Sequence, residues 1–174
     1  PTFYKTAADT GIVLTLTGYG NEHQTRIRFR PDATDNYDYK LDAYCLPSLH
    51  PDYPNLYTHS ADGKSLVVNS VPDDFDNFSV PMGIVWNGYP PSVEEYFLAI
   101  RVDRLPPEIP SICLQDLGTG AAVVLEEGDG YTFMTDWSAT SLTRFILNGP
   151  MVGCATDIGE QTPLEEQIAV IQQD

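Results

Sequence analysis

Basic residues are scarce in this sequence. Nine Lys and Arg stand against 25 Asp and Glu in 174 residues, a formal net charge of −16. A field of that sign repels nucleic-acid phosphates and anionic lipid headgroups, so nucleic acid is excluded as a partner. No run approaches the roughly 18 apolar residues of a membrane-spanning helix, and no membrane insertion is expected. HExxH, GxSxG, GxGxxG and phosphate-loop motifs are all missing. Cysteine is scarce as well. Cys45, Cys113 and Cys154 form no CxxC and match no zinc spacing. Their odd number leaves three readings open: buried thiols, one disulfide plus a free thiol, or a bridge to another chain. His23, His50 and His59 show no ligand spacing and read as surface loop residues. The chain opens at Pro1 without Met or a basic-then-apolar leader, as expected of a mature or excised region.

What the chain does have is alternation and turns. Hydrophobic content is 42%, with 13 Gly, 14 Pro and 10 Tyr. Residues 11–18 put Ile12, Leu14 and Leu16 on one face, and 24–30 put Thr25, Ile27 and Phe29 inward with Arg26, Arg28 and Arg30 outward. Period two with β-branched residues predicts strands with one wet face. Further strands are expected at 56–72 (a hairpin turning at Asp62-Gly63), 80–86, 94–102, 111–117, 121–127, 131–137 and 142–148. Pro81 belongs near a strand start or at an edge. About ten short strands separated by turn residues predict an all-β fold, an antiparallel, jelly-roll-like β-sandwich. The expected organisation is a lead-in at 1–10, one β-sandwich domain at 11–150 and a tail at 151–174. In the tail, Thr162-Pro163-Leu164-Glu165 is a helix-start signature, while residues 168–171 equally suit a strand.

Three constellations qualify as candidate sites. Asp32, Asp35, Asn36, Asp38 and Asp42, and separately Asp73, Asp74, Asp76 and Asn77, supply the hard oxygens that Ca²⁺ takes. Neither group has EF-hand spacing, and Asp and Asn equally serve turns by bonding their own backbone. Trp86, Tyr89, Tyr53, Tyr57 and Trp137 lie in or beside Pro-, Asn- and Gly-rich loops, a platform on which a glycan ring could stack. Alternatively, Trp86 and Tyr57 cap the core. Carboxylate pairs for glycoside hydrolysis carry no signal in a chain this acidic, and no nucleophile is set beside a base.

The order of segments is itself informative. TRIRF (25–29), ATDNYDYKLDAYCL (33–46), LYTHSADGKSLVVNSVP (56–72), VPMGI (80–84), EYFLAI (95–100), SICLQDLGTGAAVVLEEGDGYTF (111–133) and TRFIL (143–147) together resemble the β-sandwich module that precedes the C-terminal sorting domain of type IX secretion system cargo proteins. The acidic stretch is similar to the family's AT-x-x-x-D-x-x-x-DA-x-K-L. Two positions depart from the pattern: Cys45 replaces the usual Lys, and Met82 the usual Leu. The resemblance implies export across the outer membrane and an extracellular or cell-surface location. It also implies a non-catalytic structural or adhesion-associated role, with the other domains of a longer polypeptide as partners. It makes Asp38, Asp42, Ala43, Arg144 and Phe145 structural signature residues and the tail the beginning of a sorting region. Two alternatives are a glycan-binding module using the aromatics, and a self-assembling subunit (homo-oligomer or surface polymer) joined through a strand edge or the tails.

Overall fold

A computed structural model describes residues 10–18, 20–49, 53–85, 96–135, 143–150, 152 and 154. These residues form eleven strands and no helix. The first six are β1 (Gly11–Gly18), β2 (Asn21–Arg30), β3 (Ala43–Tyr44), β4 (Asn55–His59), β5 (Ser65–Pro72) and β6 (Ser79–Val85). They are followed by β7 (Tyr96–Arg104), β8 (Ile112–Asp116), β9 (Ala121–Leu125), β10 (Gly130–Thr135) and β11 (Phe145–Asn148).

The strands share one sheet in the order β10-β7-β1-β2-β5-β4-β6-β11-β8-β9, with the two-residue β3 on β5. The all-β expectation holds. The layout is not that of a clear two-sheet antiparallel sandwich: the sheet is mixed, nearly closed and barrel-like, and its β2–β5 pairing is parallel. The reason lies in β5. Its start, Ser65 and Leu66, pairs antiparallel with β4, and its later part, Val68–Pro72, runs parallel to Arg26–Arg30 of β2. A strand that serves two neighbours in succession joins two antiparallel groups into one hydrogen-bonded network.

Alternation places the inward residues where the sequence pattern put them. Ile12, Leu14, Leu16, Ile27, Phe29, Leu98, Ile100 and Val102 meet Leu56, Met82, Leu114, Phe145 and Leu147 in one core. Each fully buried aliphatic or aromatic side chain contributes about 1.5–3 kcal/mol over leaving it in water. The Asp62-Gly63 turn closes the β4–β5 hairpin, and Gly63 holds φ at 78°, where a side chain would be strained. Pro81 is tolerated because β4 covers only Met82–Val85, leaving β11 as the proline's single neighbour. Met82 is fully buried. Two histidines depart from the expectation of loop positions. His23 lies in β2, where its Nδ1 accepts the Leu56 N–H at 3.2 Å, and burial lowers its pKa. His59 ends β4, edge-on to Tyr57. His50, most of the lead-in and the helix start at Thr162 lie outside the described residues.

Candidate functional site

The most heavily bonded polar cluster lies where the two ends of the strand order meet. Asp116 ends β8 and sits opposite Phe145, the first residue of β11. Arg144 immediately precedes β11, anchored by its own N–H on the Met82 carbonyl and by its carbonyl on the Leu117 N–H. Its guanidinium grips Asp116 with two bonds, Nε to Oδ1 at 3.2 Å and Nη2 to Oδ2 at 3.1 Å. The same Nη2 donates to the Met134 carbonyl of β10 at 2.9 Å. The guanidinium also lies 4.5 Å from the Phe133 ring centroid and 5.3 Å from that of Phe145. Tyr131 of β10 donates its hydroxyl to Asp116 at 3.1 Å, and the Gly118 N–H donates at 2.8 Å. Strand β10 thus reaches β8 and β11 through side chains.

Both charges are out of water, with side-chain exposures of 9% for Arg144 and 1% for Asp116. Burial pushes the Asp116 carboxyl up. The bonds from Arg144 and Gly118, the Arg144 charge and the Tyr131 hydroxyl outweigh that effect and hold it below the usual carboxylate range. Every oxygen and nitrogen of this cluster that bonds is engaged within the protein, which suits a tie between strands.

Beside it, Cys113 of β8 and Cys154 form a disulfide, with Cα atoms 5.3 Å apart, that fixes the chain beyond β11 onto β8. Of the three cysteine readings, one disulfide plus a free thiol is the one observed. Cys45 is the free thiol. Burial pushes its pKa up to about 11, which suppresses the nucleophilic thiolate.

The acidic stretch between β2 and β4 is built differently. Asp42 Oδ2 accepts the Asp38 N–H and Oδ1 accepts the Ser70 N–H of β5, both at 2.7 Å. Ser70 returns its hydroxyl to the Leu41 carbonyl. Asp38 Oδ1 accepts the Lys40 N–H at 2.8 Å. Ala43 then enters β3, and the rings of Tyr37 and Tyr44 pack with centroids 4.5 Å apart. These bonds are Asx-type turn chemistry that pins the connection to β5.

The remaining candidate carboxylates spread out. Asp32 pairs with Arg30 at 2.8 Å, and that hydrogen bond lowers its pKa. Asp74 accepts the main-chain and side-chain N–H groups of Asn77, while Asp73 and Asp76 are exposed. Among the described residues, no group of three or more His, Cys, Asp or Glu comes close enough to hold an ion. The two acidic clusters do approach one another through Asp35 and Asp74, which line one open groove of about 330 Å³ with Val71, Phe78 and Ser79. Asp35 also lines a neighbouring recess of about 240 Å³ with His59 and Asn69.

Of the candidate stacking aromatics, Trp86, Tyr89 and Trp137 lie outside the described residues. Tyr53 is exposed ahead of β4, and Tyr57 is buried within it, as its core-capping alternative requires. Four exposed apolar side chains, Tyr39, Tyr44, Leu46 and Leu49, escaped the sequence reading because they follow no strand or helix period.

Arg144 and Phe145 were singled out by the resemblance, but Asp116 and Tyr131 were not. One signal for Asp116 was available. An Arg set against an apolar strand needs an acidic partner, and an Asp at another strand's end is a natural one. No family model matches the chain, and no curated protein or solved structure matches it either.

Proposed function

We propose that this chain is a non-catalytic structural module, adhesion-associated, of an extracellular protein exported by the type IX route. One observation supports the non-catalytic part: the polar groups of the most heavily bonded cluster, Asp116, Arg144 and Tyr131, bond to one another and to backbone. The export part rests on the ordered segments of the resemblance. It is supported by the Cys113–Cys154 disulfide, which suits an oxidising compartment. Within this reading, the barrel-like sheet is a jelly-roll-like sandwich whose two halves are joined through β5.

Protease shaving of intact source cells tests this directly. Peptides from residues 11–150 are expected in the shaved fraction, with Cys113 and Cys154 recovered oxidised. Recovery only after lysis, with both thiols reduced, refutes export and surface location. Substrate turnover abolished by Asp35→Asn or His59→Gln would refute the non-catalytic reading.

A further inference from the structure

Five of the nine Lys and Arg of this acidic chain lie on two strands, Arg26, Arg28 and Arg30 on β2 and Arg101 and Arg104 on β7. Strand β1 runs between them. Val13 of β1 pairs with Arg26 on one side and Arg104 on the other. The register shifts between Val13 and Leu14, where Leu14 faces Val102 and Val13 faces Arg104, so Asp103 is the extra residue of a bulge. The bulge turns Arg104 to the outer face beside Val13, where its own parity would have sent it inward. Arg26 and Arg104 thus stand two strand spacings apart, roughly 9–10 Å between Cα atoms, on either side of a buried Val13.

The neighbouring acids are occupied. Asp103 accepts from Thr15, Gln24 and Arg101, and Glu22 pairs with Arg101. Among the described residues, neither the Arg26 nor the Arg104 side chain has a hydrogen-bond or ion-pair partner. The complementary surface is on the same chain. No Lys or Arg occurs between Lys64 and Arg101, and within that interval Asp73, Asp74 and Asp76 form an exposed turn after β5. Because Arg30 pairs with Pro72, this acidic turn begins at one end of the arginine-bearing face.

We propose that the outward arginines of β2 and β7, centred on Arg26 and Arg104, dock the Asp73–Asp76 turn of a second copy of this chain. A two-fold arrangement would set each copy's Arg26 and Arg104 against the partner's Asp73–Asp76 turn, giving a dimer. The net charge opposes approach at long range, but the Debye length is only about 8 Å at 0.15 M salt, which leaves contact pairs as the stronger influence. This inference goes beyond the structural role proposed above and does not depend on the export route.

Sedimentation velocity on the full chain, at several protein concentrations and at 0.15 M and 1 M NaCl, tests it. A dimer is expected at the lower salt and a monomer at the higher. Arg26→Gln with Arg104→Gln weakens the dimer roughly tenfold or more, and Asp73→Asn, Asp74→Asn and Asp76→Asn together do the same. The second variant leaves the sheet untouched, so a folding defect in the first does not rescue the idea. A monomer at every concentration, a dimer that survives 1 M NaCl, or a dimer indifferent to both variants overturns it. So does a monomer that binds dextran sulfate through Arg26 and Arg104.

Discussion

Asp116 and Asp42 are the same side chain doing related work in two settings. Asp116 is almost fully buried, faces a cation and ties β8 to β10 and β11. Asp42 is half-buried, and both of its oxygens take main-chain N–H groups, pinning a connection to β5. The difference is in what removal leaves behind. Taking away the partner of Asp116 strands a charge in a low-dielectric interior, whereas taking away Asp42 leaves two neutral main-chain N–H groups without their acceptor. Two aspartates should therefore differ in energetic weight, with the buried one dominant.

The largest effect is expected from Arg144→Leu. It leaves Asp116 unpaired, and breaking one side of a buried pair costs about 3–5 kcal/mol. For a domain of this size that amounts to a Tm drop of roughly 10 °C or more in calorimetry. Next comes the Cys113–Cys154 bridge, which closes a loop of 41 residues. Replacing both cysteines by Ala is expected to cost about 2–4 kcal/mol in urea unfolding, through the freedom restored to the unfolded chain. A loss as large as that of Arg144→Leu would mean that the bridge, more than the ion pair, closes the barrel.

Asp42→Ala ranks third, at roughly 2 kcal/mol, from two charge-assisted bonds to backbone. Asp38→Ala is milder, about 1 kcal/mol, with the bond to the Lys40 N–H lost. Both losses are expected to be equal with calcium and with chelator. A loss confined to calcium-containing buffer would show that the acidic stretch holds a metal. Acid separates the two regions further. The Asp116 carboxyl is held below its ordinary value in the folded chain. Its contribution is therefore complete above its unfolded-state value of about 4 and is lost as pH falls through the folded-state value. In Asp116→Asn, urea midpoints measured from neutral to acid pH should lose that part of the acid sensitivity.

Much of the fold was legible because alternation is a local signal. β1 matches the expected strand at 11–18 in full, and the inward Thr25, Ile27 and Phe29 are buried as their period requires. The Asp62-Gly63 turn was equally visible. The parallel β2–β5 pairing was not, because register between strands separated by a long connection is set by tertiary packing. The strand β3 is two residues long and carries no period at all. At the candidate site, Asp38 and Asp42 could be read as turn-formers from residue type alone. The Asp116–Arg144 pair spans 28 positions, and only the antiparallel pairing of β8 with β11 brings its members together. Cys113 and Cys154 were hidden for the same reason.

A double-mutant cycle on Asp116 and Arg144, followed by urea unfolding, tests most directly whether the buried pair acts as one tie closing the barrel. Asp116→Leu and Arg144→Leu are each expected to lose several kcal/mol, because each strands a buried partner. The double variant should recover much of that loss, giving a coupling energy of at least about 2 kcal/mol. Losses that simply add, with no coupling between the two positions, would contradict the account.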